Sequence, residues 1–241
     1  GERFDLRVST LPTHYGEKTV IRILRQDTSV LSLDRIGLKK SHSDLLKRLI
    51  EKPQGIIFVT GPTGSGKSTT LFSCLNQIRE KSINITTIEN PIEYQIEGVN
   101  QVQVNEKAGL DFTATLRSIL RQDPDVILIG EIRDPQTAEI ALQAAQTGHL
   151  VLSTLHTNDA VSAVTRLKDL GLPPFLIGSA LLAVISQRLV RCLCEKCKHA
   201  FSLTEDLARQ WKNAVGDIPI PARFFRARGC SACNQTGYQQ R

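Results

Sequence analysis

Residues 61–68 read Gly-Pro-Thr-Gly-Ser-Gly-Lys-Ser. They follow the apolar run Ile56-Ile57-Phe58-Val59 and precede a segment with Leu71, Leu75 and Ile78 at helical spacing. The octet satisfies G-x-x-x-x-G-K-[ST] at every position, and it stands where a strand gives way to a helix. Glycines there let the backbone curl until successive N–H groups point at phosphate oxygens. The following helix adds the positive end of its dipole. Gly61, Pro62, Thr63, Gly64, Ser65, Gly66, Lys67, Ser68 and Thr69 are therefore the expected phosphate-binding residues. Lys67 is expected on the β- and γ-phosphates of a nucleoside triphosphate and Ser68 on Mg2+.

The rest of the core falls in line with that turn. An unbroken apolar strand needs cover on both faces. Further strands are expected at 85–88, 126–129 and 150–153, with helices at 43–51, 112–121, 135–147 and 160–170. Pro53 stops the first of these helices, and Gly148 and Gly171 close the last two. Strand alternating with helix predicts an α/β fold with a mostly parallel sheet. The apolar stretch from Leu172 to Ile185 falls short of the ~18–20 residues that span a bilayer, so a buried helix is expected. Cys74 lies in the apolar series of its helix and reads as a packing residue.

Before this core, Phe4, Leu6 and Val8 alternate with charged residues, and Val20, Ile21, Ile23 and Leu24 follow a turn at His14-Tyr15-Gly16, so residues 3–25 read as strands. The expected organisation is thus residues 1–25 as the end of a preceding β-rich domain and 26–37 as a linker. An ATPase core follows at 38–189 and a metal-binding subdomain at 190–241. The chain contains no Met, which predicts a fragment whose N-terminal domain lies outside it. Val126-Ile-Leu-Ile-Gly-Glu131 ends an apolar strand in an acid. Glu131 is expected beside the phosphate loop, in the Mg2+ shell or orienting water.

Two Cys-x-x-Cys pairs, Cys194/Cys197 and Cys230/Cys233, offer four thiolates, the donor set of a closed structural zinc site. The long spacer between them is expected to hold a helix near Thr204–Ala214. Cys192 is spaced poorly for the same tetrahedron. The net charge is +6, and the whole excess falls in residues 188–241. A basic tail suggests nucleic acid or anionic lipid. Four thiolates on Zn2+ would remove about two of those charges, and no aromatic residues interleave the cations to stack bases. Specific nucleic-acid binding is therefore not expected.

Taken together, these motifs resemble the secretion ATPase superfamily, the hexameric motors of type II secretion and type IV pilus assembly. The resemblance covers essentially the whole chain. Ile85-Thr-Thr-Ile-Glu-Asn-Pro-Ile-Glu93 is similar to the family's Asp box, and Leu128-Ile-Gly-Glu-Ile-Arg-Asp134 to its variant Walker B segment. Thr147-Gly-His-Leu-Val-Leu-Ser-Thr-Leu-His156 resembles its His box.

The resemblance implies a RecA-like P-loop NTPase core with a small C-terminal zinc subdomain, using ATP, Mg2+ and Zn2+. Either Glu89 or Glu93 would be the general base. His156, and less so His149, would sense the γ-phosphate or sit at the sheet edge. Arg7 and Arg22 would be phosphate-contacting arginines. A tetracysteine subdomain marks the secretion and pilus-extension branch. The implied setting is a homo-oligomeric ring, a hexamer, at the cytoplasmic face of a bacterial inner membrane, held there by platform proteins. Two departures stand out. Asn90 occupies the position of the Asp in the usual Glu-Asp-Pro, and Gln240 that of the Gly in Thr-Gly-Tyr-x-Gly-Arg. Competing readings are a zinc-bearing, ATP-dependent nucleic-acid motor and, from Asn90, a nucleotide-binding scaffold with little turnover.

Overall fold

The structure is a computed structural model that describes residues 4–25, 31–79, 82–216 and 223–239. It divides into two compact units, residues 1–188 and 189–241. Residues 26–30 of the expected linker and Gln240 lie outside the described residues.

The first unit opens with strands β1 (Phe4–Thr13) and β2 (Gly16–Arg25), an antiparallel hairpin in continuous register. Leu6 pairs with Ile23 and Val8 with Ile21 on one face, and Arg7 pairs with Arg22 on the other. All six of these side chains are exposed. Residues 31–37 form no strand or helix, yet Leu31 and Leu33 are buried in the core. The second half of the expected linker is therefore docked, because two leucines repay the ordering of a short segment at about 1.5–3 kcal/mol each.

Helix α1 (Lys40–Ile50) leads into β3 (Gly55–Thr60), the phosphate loop and α2 (Lys67–Ile78). Then come β4 (Ile85–Glu89), β5 (Asn100–Gln103), α3 (Phe112–Ile119), β6 (Val126–Ile129), α4 (Pro135–Gln146) and β7 (Leu150–Leu155). Helices α5 (Ala160–Asp169) and α6 (Pro174–Ala180) precede β8 (Leu181–Ser186). The sheet order is β5-β4-β6-β7-β3-β8, and every pairing is parallel.

Strand period two splits the core cleanly. Ile56, Phe58, Ile127 and Ile129 face α3 to α6, whereas Ile57, Val59, Val126 and Leu128 face α1 and α2. Cys74 belongs to the second cluster, as its apolar series implies, and burial pushes its thiol up to about 12. The expected strands and helices are present, with ends that differ by a few residues.

One expectation is corrected. Leu172 to Ile185 is not a single buried helix: α6 ends at Ala180 and the remainder is β8. An apolar run of this length has no readable period, and the free edge of β3 recruits Leu181–Ser186 as a strand.

The second unit holds β9 (His199–Phe201), α7 (Glu205–Val215) and β10 (Phe224–Arg226). Thr204 caps the helix expected there, accepting from the Leu207 N–H. Phe224 meets Trp211 edge-on at 5.6 Å and Phe201 at 6.0 Å, a small aromatic core for a loop-rich unit. No helix among the described residues is long and apolar enough to cross a membrane.

Candidate active site

In a parallel sheet all the C-terminal strand ends share one edge, where α/β proteins bind ligands. Here that edge collects the phosphate loop after β3, Glu89 at the end of β4 with Glu93 beyond it, Glu131 after β6 and His156 after β7. The register places Thr60 level with Leu155 on one side and Ser186 on the other.

The loop itself is built for an anion. Gly61, Gly64 and Gly66 have φ of +139°, +75° and +83°, values that exact little cost only from glycine. Helices α3, α4 and α5 each begin on an Asp whose carboxylate accepts a first-turn N–H. Helix α2 begins on Gly66 with no side-chain cap. Its first N–H groups are thus left for a ligand, as a phosphate site requires.

Lys67 Nζ donates to the carbonyls of Gly61 and Pro62 at 3.0 and 3.2 Å, which hold it against the loop. Burial draws the Lys67 ammonium below the usual lysine range, and the negative charges of Glu131 and then Glu93 pull the other way. Ser68 is the second residue of the helix and half-buried. Its hydroxyl and the Glu131 carboxylate are hard oxygen donors of the kind Mg2+ prefers.

The acids differ sharply. Glu131, with 16% of its side chain exposed, accepts on one oxygen from Arg133 Nε at 2.7 Å and faces His156 Nε2 at 3.0 Å. Glu89 is buried and committed: it accepts from Thr87 Oγ1 at 2.6 Å, Gln101 Nε2 at 3.0 Å and the Glu93 N–H at 3.4 Å. Burial raises its pKa despite these donors. Glu93 is exposed. The structure thus separates two acids that the sequence left equivalent.

His149 precedes β7 and sits at the opposite end of that strand from His156. Its Nδ1 lies 3.0 Å from the Ala144 carbonyl, so it serves the end of α4. Arg121 donates to the Arg117 carbonyl and to Ser118 Oγ, contacts local to the C-terminal end of α3. Among the described residues, the hydrogen bonds and ion pairs of the phosphate loop come from the core alone. Arg7 and Arg22 stay on the exposed hairpin. Sequence reasoning missed two polar ties. Thr60 Oγ1 lies 2.6 Å from Thr157 Oγ1 and accepts from the Thr157 N–H, and Gln187 reaches both the phosphate loop and α2. No pattern marks either, since lone Thr and Gln residues are common.

In the second unit Cys194, Cys197, Cys230 and Cys233 converge, with their sulfurs all within 4.8 Å of one another. Four sulfurs at ~2.3 Å from one tetrahedral Zn2+ would lie ~3.8 Å apart. The separations Cys194–Cys230, Cys197–Cys233 and Cys230–Cys233 are 3.9, 3.8 and 3.7 Å. Burial opposes ionisation of Cys233, but N–H donors from Cys230 and Gly237 and the adjoining thiols outweigh it and bring it to about 6. Burial and the three neighbouring thiols push Cys197 up to about 11. None of the six cysteines forms a disulfide, and Cys192 is exposed outside the cluster. The donor set and spacing fit a metal ion held by four thiolates.

A parallel sheet with a phosphate loop on one strand end and acids on the ends of its neighbours defines a P-loop nucleoside triphosphatase fold. The chain belongs to the Type II/IV secretion system protein family, whose profile matches residues 1–241. It is 51% identical over 242 residues to Type II secretion system protein E of Aeromonas hydrophila, covering 100% of this chain and 48% of that protein. It is 50% identical over 237 residues to the type IV pilus assembly ATPase PilB of Thermus thermophilus, covering 98% of this chain and 26% of that protein. A crystal structure of the pilus retraction motor PilT with bound ADP matches with a TM-score of 0.68 at 39% identity, over 77% of this chain and 55% of that one. The chain therefore spans about half the length of its type II secretion relatives.

Proposed function

We propose that this chain is the ATP-hydrolysing part of a motor that drives type II secretion or type IV pilus assembly. The observation that carries this reading is the convergence of Lys67 with two acids, Glu131 and Glu93, at an uncapped helix N-terminus. The loop N–H groups and Lys67 bind the phosphates of ATP and spread the charge that develops on the transferring group. Glu93, exposed and not buried like Glu89, takes the proton of the attacking water. Glu89 accepts the Glu93 N–H and so orients the segment that carries it.

Ser68 and Glu131 would hold Mg2+, whose chemistry is to neutralise charge on the β- and γ-phosphates. His156 and Arg133 fix the Glu131 carboxylate from the solvent side. Arg7 and Arg22, opposite one another on the hairpin, present paired cations suited to a phosphate. The tetracysteine site would hold Zn2+ with no open position, a structural role.

The relatives named as secretion and pilus motors support placement in a homo-oligomeric ring, a hexamer. Platform proteins would hold that ring at the cytoplasmic face of the inner membrane. The test is Lys67→Ala. It should abolish ATP hydrolysis, read as phosphate release, while the melting temperature stays near that of the unaltered chain. Unchanged turnover would refute the reading.

A further inference from the structure

The phosphate loop is held from a direction that the motif does not announce. Gln187 directly follows β8, the edge strand beside β3. Its backbone N–H donates to the Thr60 carbonyl at 3.0 Å, which extends the β3–β8 ladder by one residue. Its side-chain Nε2 donates to the Ser65 carbonyl at 2.6 Å, and its Oε1 accepts from Thr70 Oγ1 at 2.9 Å. A carbonyl oxygen can only accept, so chemistry fixes which end of the amide faces Ser65. One planar amide thus bridges the loop and the first turns of α2. The approach is close: a Cβ on Gly61 would stand 2.3 Å from the Gln187 carbonyl oxygen.

The peptide between Ser65 and Gly66 is the element so held. In a trans peptide the C=O and the next N–H point in opposite directions. Fixing the Ser65 carbonyl toward Gln187 therefore aims the Gly66 N–H away from Gln187. Among the described residues no protein group accepts from the Gly66 N–H. Gly66 is in the left-handed region at +83°, where a glycine-flanked peptide turns over at little steric cost. Nothing within the loop's own sequence prevents that reversal.

We propose that Gln187 is a positioning residue for the nucleotide: it locks the Ser65–Gly66 peptide so that the Gly66 N–H meets the β-phosphate. The inference rests on the phosphate loop binding a nucleotide, as set out above. The role demands one donor and one acceptor at the two ends of one amide. Glu retains the shape and the acceptor for Thr70 but cannot donate to Ser65, and Leu does neither.

The test measures ADP binding and AMP competition with the full chain, its Gln187→Glu and Gln187→Leu variants, and a melting curve for each. Both variants should bind ADP about tenfold more weakly, the factor that one lost hydrogen bond of this kind is worth. AMP has no β-phosphate, so its competition constant should stay within twofold. Should Gln187→Leu fail to fold, Gln187→Glu, of the same size, decides alone. ADP affinity within twofold of the unaltered chain in Gln187→Glu overturns the positioning role. So does an equal loss for ADP and AMP, which would mark a general collapse of the site. If the unaltered chain does not bind ADP, it is the nucleotide reading that fails, and the inference falls with it.

Discussion

Glu89 and Glu93 lie four residues apart and could not be ranked from the sequence, because both follow the same strand and both are acids. Burial separates them. Glu93→Gln should lower turnover by ~10²–10⁴, the usual worth of a general base, and leave ADP affinity intact. Glu89→Gln should lower turnover by less than about tenfold, since Glu89 acts on the Glu93 segment and not on water. Equal losses in the two variants would reverse the assignment. Glu89 carries a pH signature as well. Burial raises its pKa in the fold, so the folded state holds its proton to higher pH than the unfolded chain does. Its contribution to stability is present below the ordinary glutamate value of about 4.3 and is lost as pH rises through the raised value. The melting temperature of the unaltered chain minus that of Glu89→Gln should therefore be larger at pH 4 than at pH 7. A difference that does not vary with pH would show that Glu89 titrates as it does in the unfolded chain.

Elements were legible in proportion to how much of their own burial they encode. β3, β4, β6 and β7 are buried on both faces; the unbroken apolar runs of β3 and β6 and the Leu-Val-Leu opening of β7 announce it, whereas β4 carries only Ile85 and Ile88. α3, α4 and α5 begin on aspartates that cap them. β5 is the counterexample. Asn-Gln-Val-Gln has almost no apolar content, and it is a strand because the edge of β4 accepts it. From there Gln101 donates to Glu89 and to the Tyr94 carbonyl, contacts that depend on pairing and leave no mark in the sequence. β8 was illegible for the opposite reason, an excess of apolar residues, and Gln187 was lost with it. The cysteine spacing, by contrast, named all four members of its cluster, because metal geometry limits how ligand pairs can be spaced. Cys194→Ser should release zinc from the purified chain and expose residues 189–241 to proteolysis, since binding energy at such a site is folding energy. ADP affinity should change by less than about threefold. Metal analysis that finds no zinc in unaltered protein prepared without chelator would dismiss the assignment.

At the scale of the molecule, the arginine pair on the hairpin is the feature whose use is not evident within one chain. Arg7 and Arg22 are direct cross-strand partners, and like charges so placed disfavour the hairpin. Arg7→Ala or Arg22→Ala should leave the melting temperature unchanged or slightly raised, yet lower turnover at least about tenfold if the pair contacts transferring phosphate. Turnover per chain should also rise with protein concentration, as expected when an active site is completed in a ring. Normal turnover in both variants would reduce the pair to surface charge. The path by which the chain leaves the sheet has a mechanical consequence. β8 runs parallel to β3, and its last residue is followed within three positions by the start of the second unit. Tension drawn along the chain at Leu189 loads the β8–β3 rungs in shear, all at once, and does not unzip them one at a time. The first hydrogen-bonded rung such tension meets is that of Gln187, whose side chain also holds the Ser65 carbonyl, so the load would arrive directly at the phosphate loop.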